Sequence, residues 1–174
     1  MSKAVGRKVV PGRRVTVETT RGTFVVALFD KDSPKTTENF AKLVKKKFYD
    51  GTPFHRVIEG FVAQGGDPEG TGQGGPGYNI SFEKNPLKHV RGALGMARSM
   101  SLDSAGSQFF IDFRPLPNLD QQYDSGGTPT GGYVVFGQVV KGMDVVDKLT
   151  RTMDRGNSPV PDVKPDKILR ARLD

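Results

Sequence analysis

From residue 53 to residue 140, apolar residues come only in short runs, each broken by Gly, Pro, Asp or Ser. FHRVI, FVAQ, GALGMA, SQFFI and YVVFGQVV are each strand-sized and too short for a free-standing helix. A chain built this way spends its middle as many short strands joined by turns. That pattern predicts a mainly β fold, a sandwich or a barrel. The flanks add to it. VTVETTRGTFVVALF (15–29) reads as two strands around a tight turn at Arg21-Gly22. DKILRARLD at the end sets Leu169, Ala171 and Leu173 against Arg170 and Arg172, the period of two of a half-buried strand. Two helices are expected. One starts at Asp32-Ser33-Pro34, a capping side chain followed by Pro in the first turn, and ends at Asp50-Gly51. The other spans 142–151, with Val145, Val146 and Leu149 on one face. Strands at both ends with few helices between favour a closed barrel.

The 174 residues suffice for one domain with a sizeable core, and no linker or repeat divides them. With no cysteine, thiolate chemistry, disulfides and iron–sulfur clusters are excluded. Two histidines, His55 and His89, are too few for a His-rich metal site. No apolar run approaches a bilayer span, and the first residues lack the apolar core of a signal peptide, so a cytoplasmic setting is expected. The net charge is +7, of which Lys3, Arg7, Lys8, Arg13 and Arg14 carry five with no acid among residues 1–14. The expected organisation is a flexible basic arm over 1–14 and a single domain over 15–174. The arm offers weak contact to nucleic acid or an acidic partner, although a solvated tail accounts for it as well.

Two apparent motifs fall away on context. Gly72-Gln73-Gly74-Gly75-Pro76-Gly77 fits the spacing of a dinucleotide fingerprint, but no strand precedes it, no helix follows, and Pro76 interrupts it. A Ser–His–Asp arrangement of His55 with Ser99, Ser107 or Asp67 lacks the G-x-S-x-G elbow. A different constellation is informative. FHRVIEGFVAQGGD (54–67) brings Arg56, Phe61 and Gln64 into one stretch, and GSQFFI (106–111) adds Gln108 and Phe110. Strand alternation places Phe61 with Ala63 on one face and Val62 with Gln64 on the other, and puts Gln108 with Phe110. Amides and an arginine beside aromatic rings, with no nucleophile or cofactor loop, fit binding and electrostatic stabilisation.

Together, FHRVIEGFVAQGGD, GALGMA, GSQFFI and YVVFGQVVKGMDVV resemble the cyclophilin family of peptidyl-prolyl isomerases, in order and spacing, from about Val15 to the chain end. The resemblance implies a closed eight-stranded antiparallel β-barrel with a helix over each open end. It implies a compact, bacterial-like, monomeric isomerase that acts on proline-containing polypeptides without cofactor or metal. Arg56 is implied as the catalytic arginine. Phe61, Val62, Gln64, Gln108, Phe110 and Leu119 correspond to the proline and peptide groove. Ala97 and Arg98 correspond to a substrate-pairing segment, and His55 and Tyr133 to flanking positions. Val62 replaces a common methionine. Asn118 stands where many members carry an aromatic linked to cyclosporin binding, which argues against drug sensitivity. Residues 121–132 form an enlarged loop at the groove edge. A cyclophilin-like module that binds proline peptides with little catalysis is the alternative.

Overall fold

Thr19 to Gly22 set the frame. In the computed structural model, which describes residues 10–174, β1 (Arg14–Thr19) and β2 (Gly22–Leu28) form a hairpin with Thr19 opposite Gly22. Gly22 has φ +127°, a conformation that needs glycine, and Thr19 Oγ1 donates to its carbonyl at 2.8 Å. The chain continues through α1 (Pro34–Lys45), β3 (Arg56–Val57), β4 (Val62–Gly65), β5 (Ala93–Met96) and β6 (Phe109–Asp112). After a 3₁₀ turn (Pro117–Leu119) come β7 (Gln122–Tyr123), β8 (Pro129–Gly131), β9 (Val135–Lys141), α2 (Met143–Asp147) and β10 (Ile168–Leu173). Eight strands form one antiparallel sheet in the order β10-β1-β2-β9-β5-β6-β4-β3; β7 and β8 pair separately.

The sheet curls without closing as a continuous ladder, which corrects the closed barrel expected from sequence. Its end strand β10 meets the stretch before β3 through an isolated bridge between Pro53 and Lys167, with Phe54 N–H to the Asp166 carbonyl at 2.8 Å, Ile168 N–H to the Thr52 carbonyl at 2.9 Å and Gly51 N–H to the Ile168 carbonyl at 2.7 Å. β3 itself is two residues long and pairs with β4, and the ladder to β10 does not extend past this bridge.

Inside the curl lie Val17, Phe24, Val26, Leu94, Phe109, Ile111 and Phe136. Helix α1 lays Phe40, Leu43 and Val44 on them. The Phe40 ring sits 5.2 Å from Phe136 and 5.6 Å edge-on to Phe109. Burying each such ring contributes about 2–3 kcal/mol. The helix start is where expected, but the cap is not Ser33. Its hydroxyl donates instead to the Val135 carbonyl, and the Glu83 carboxylate accepts the Lys35 and Thr36 N–H groups at 2.8 and 2.7 Å. Helix α2 is shorter than the expected 142–151. Thr150 N–H turns to the Asp166 carboxylate (2.7 Å), and Arg151 takes the Asp147 and Leu149 carbonyls, so the last turn finds partners outside the helix.

Two strand details differ from the simple patterns. The register shifts between Glu18 and Thr19, which face Arg170 and Ile168, so Leu169 has no partner and stays exposed while Ile168 and Ala171 point inward. Residues 12–14, assigned to the arm, are part of the fold. Gly12 N–H donates to the Leu28 carbonyl, Arg13 pairs with Asp30 and Glu38, and Arg14 opens β1. Lys3, Arg7 and Lys8, the rest of the basic arm, lie outside the described residues.

Candidate active site

Across the outer face of β3, β4 and β6, a second, small apolar cluster forms apart from the main core. Val62, Phe110 and Leu116 are its buried members, with Phe61, Ala97, Leu119 and Tyr133 packed on them. Alternation explains most of this. Phe109 and Ile111 of β6 and Ala63 of β4 go into the core, while Phe110, Val62 and Gln64 go to the other face. Phe61 departs from the expected alternation. It precedes β4 in a turn closed by its own N–H on the Ile58 carbonyl (3.1 Å), which frees it to join Val62. Gly95 is required beneath: a Cβ there would lie 2.2 Å from the Phe110 ring. The far end of the Phe110 ring therefore sits directly over Gly95 of β5.

All the sequence-predicted site residues except His55 and Gln108 line this one cleft of about 180 Å³. Arg56 stands at its rim. Its Nε donates to Asn157 Oδ1 at 2.8 Å and its Nη1 to Gln64 Oε1 at 3.2 Å, with the Phe61 ring 5.8 Å away. Gln64 Nε2 donates in turn to Gln108 Oε1 (3.0 Å), and Gln108 Nε2 to the carbonyls of Gly72 and Gly74 (2.9 Å each). Gln108 thus works behind Gln64 and lines the neighbouring cleft over Gly72–Tyr78. Among the described residues no carboxylate pairs with Arg56. Burial pushes its guanidinium down, yet arginine stays charged in proteins. A cation held by two neutral amides keeps its charge available to a ligand.

On the far wall Arg98 lies over the Tyr133 ring (4.7 Å) and donates to the Gly132 carbonyl; Tyr133 meets Phe110 edge-on at 5.5 Å. His55 is elsewhere. It lies under the 67–72 loop, neither ring nitrogen has a hydrogen-bond partner among the described residues, and burial pushes it down, partly opposed by Asp67. A neutral imidazole outside the cleft is poorly placed for proton transfer.

A family profile described as cyclophilin type peptidyl-prolyl cis-trans isomerase/CLD matches residues 14–173. The chain belongs to that family. Curated relatives include a Helicobacter pylori peptidyl-prolyl cis-trans isomerase, 46% identical over 77% of this chain and 78% of its own length. Another is peptidyl-prolyl cis-trans isomerase B of Bacillus subtilis, 46% identical over 71% and 80%. A Cryptosporidium parvum cyclophilin type peptidyl-prolyl cis-trans isomerase has a similar crystal structure (TM-score 0.78, 32% identity, 93% of this chain and 97% of that one). It was also crystallised in the presence of the dipeptide Ala-Pro.

In this cyclophilin, sequence reasoning missed what holds the cleft. Asn157 is presented in a left-handed conformation (φ +63°) by a turn that Asp154 ties down through the Gly156 and Ser158 N–H groups. Its contact with Arg56 spans 101 residues, and nothing local signals it. The expected loop 121–132 contains the β7–β8 hairpin. Gln121 bonds the 83–85 segment, and Lys84 lies 5.7 Å over Tyr123. Asn118 is exposed on the 3₁₀ turn beside Leu119.

Beneath Phe110 lies a buried pair. The His89 ring stacks on Phe110 at 5.6 Å, its Nδ1 lies 2.8 Å from Asp112 Oδ2, its Nε2 lies 3.2 Å from the Tyr133 carbonyl, and both side chains are fully buried. Burial pushes the Asp112 carboxyl up, partly opposed by His89. The folded chain therefore keeps that proton to a higher pH than the unfolded chain does. Its contribution to stability is fully present below the ordinary value of about 3.9 and falls as pH rises through the raised folded value. Asp112→Asn cannot titrate. Urea midpoints from pH 3 to 7 are expected to show wild-type stability falling relative to the variant across that window, and a constant difference would contradict the linkage.

Proposed function

We propose that the chain accelerates rotation about Xaa-Pro bonds in polypeptides by holding the twisted amide at Arg56 while the proline ring sits on Phe61, Val62, Phe110 and Leu119. The observation that carries this reading is the placement of Arg56. It is charged, unpaired with any carboxylate among the described residues, and fixed by Asn157 and Gln64 at the edge of an apolar seat.

Amide rotation carries a barrier of about 18–20 kcal/mol because C–N resonance is lost, and X-Pro exchange unaided takes tens to hundreds of seconds. No covalent bond changes partner, so neither nucleophile nor proton transfer is needed. On twisting, the prolyl nitrogen regains a lone pair and becomes an acceptor only near the transition state. A donor-only guanidinium bonds that state selectively, which is the condition for raising the rate rather than only tightening binding. The Gln64–Gln108–loop chain removes freedom from Arg56 before substrate arrives, so little ordering is left for the reaction step. Ala97 and Arg98 offer backbone along the cleft for the bound peptide.

The experiment is NMR exchange on a short Ala-Pro peptide with catalytic protein. Exchange well above the uncatalysed rate is expected. Shift changes in the cleft without faster exchange would leave a proline-peptide binding module in place of an enzyme.

A further inference from the structure

Beside the proline seat, on the far side of Arg56 from Gln108, opens a second cleft whose walls include Glu59, Phe61, Arg114, Arg155 and Asn157. Its electrostatics are one-sided. Arg56, Arg114 and Arg155 all face it, and the single carboxylate, Glu59, is already taken by Arg151 Nε at 2.5 Å. The nearby Asp154 carboxylate is turned into its own loop, accepting the Gly156 and Ser158 N–H groups. Arg114 spends Nε on the Gly60 carbonyl (2.7 Å) and Nη1 on the Pro115 carbonyl (3.3 Å), leaving Nη2. Arg155 is exposed and makes no hydrogen bond or ion pair among the described residues. Two guanidinium groups thus line a cavity with donors to spare, against one carboxylate, Glu59, whose Oε2 is held by Arg151.

We propose that this cleft is a specificity subsite for an anionic side chain, a carboxylate or a phosphate, on a residue flanking the substrate proline. The inference rests on the proline seat proposed above. Arg56 and Phe61 belong to both clefts, so a chain whose proline lies on Phe61 carries its near neighbours, spaced 3.8 Å per residue, past Arg114 and Arg155. Arginine suits either anion, because its planar fork matches both bidentately. Arg56 itself stays with Asn157 and Gln64. Selection is expected through one or two partly exposed ion pairs, so it is moderate and weakens with salt.

The test is exchange spectroscopy on Ala-Pro peptides that carry one aspartate, asparagine or phosphoserine at each successive position on both sides of the proline. At one position, aspartate is expected to raise kcat/KM about threefold to tenfold over asparagine, an advantage that 0.5 M salt reduces. A greater gain for phosphoserine would name phosphate as the preferred anion; a smaller one would name carboxylate. Arg114→Gln with Arg155→Gln is expected to bring the charged peptides to the asparagine rate. Arg155→Glu, which removes no internal bond, is expected to invert the preference. Equal rates for aspartate, phosphoserine and asparagine at every position, or an advantage that survives these substitutions, would overturn the proposal. Turnover of the uncharged peptide in the same samples separates this from the isomerase reading. Should that turnover be absent, binding shifts of the charged series still decide the subsite.

Discussion

Arg56→Ala is expected to lower kcat/KM on a short Xaa-Pro peptide by about tenfold to somewhat over a hundredfold. A hydrogen bond to a charged group contributes about 1.5–3 kcal/mol net, and each 1.36 kcal/mol is a factor of ten in rate. The lower end applies if water replaces the guanidinium at the prolyl nitrogen, the upper end if the apolar seat keeps water out. The fold should survive. Arg56 is half-buried at a rim, and the acceptors it leaves, Asn157 Oδ1 and Gln64 Oε1, can turn to solvent, so a stability loss under about 1 kcal/mol is expected. Arg56→Lys sharpens the reading. It keeps the charge but cannot hold Asn157 and Gln64 while also donating forward, so a rate between the two is expected. Single-turnover or NMR exchange rates, paired with thermal melts, check all three. An unchanged rate in Arg56→Ala with an intact melt would remove the proposed mechanism.

The parts of this molecule that could be read from sequence are those governed by local pattern. The strand runs between 53 and 140 are found where short apolar strings meet turn residues, and alternation correctly sends Val62 and Gln64 to one face with Ala63 on the other. Most of the mistakes share a cause, a partner distant in sequence; Phe61, turned by a local bond to the Ile58 carbonyl, is the exception. Ser33 looks like a cap, but Glu83, 48 residues beyond Lys35, takes the helix N–H groups. Leu169 looks as inward-facing as Leu173 until the partner strand shifts register. The sheet fails to close because β10 meets the stretch before β3 in a single isolated bridge, which no reading of either strand alone reveals. The β7–β8 hairpin is exposed on both faces and so carries no apolar period; it is held by Gln121 and Lys84 instead. In the site the pattern repeats. The groove residues come from motif strings, whereas Asn157 and the His89–Asp112 pair, which fix Arg56 and underlie Phe110, are joined only by folding. Asp67 is different. Asp followed by Pro, Glu, Gly, Thr and Gly carries the composition of a side-chain-stabilised turn, a signal present in the sequence.

That turn carries the largest expected stability effect. The buried Asp67 carboxylate accepts the N–H groups of Glu69 (2.8 Å), Thr71 (3.0 Å) and Gly72 (2.6 Å), and a Cβ on Gly74 would lie 1.9 Å from its Oδ1, so the loop is wrapped on the carboxylate. Burial alone pushes its pKa up, but the backbone N–H groups of Glu69, Gly74, Gly72 and Thr71 outweigh that and hold it below the ordinary carboxylate range. Asp67→Ala leaves those donors without their acceptor, each costing about 1–3 kcal/mol if still buried, and partial solvation of the loop brings the expected loss to about 3–4 kcal/mol. The pH dependence follows in sign. A depressed folded pKa gives stability that is present above about 3.9 and is lost as pH falls through the folded value, so the variant should lack that part of the acid slope. Asp67→Asn keeps the shape without the charge and should fall between. The effect reaches catalysis through geometry: Gly72 and Gly74 carbonyls hold Gln108, Gln108 holds Gln64, and Gln64 holds Arg56. At a temperature where Asp67→Ala is folded, kcat should therefore fall several-fold further than KM changes, because a loosened Arg56 loses the twisted amide more than the planar one. Urea titrations from pH 3 to 7 and exchange rates on the folded fraction measure both. A variant that melts early yet keeps wild-type kcat would confine Asp67 to stability and break the proposed link from loop to arginine.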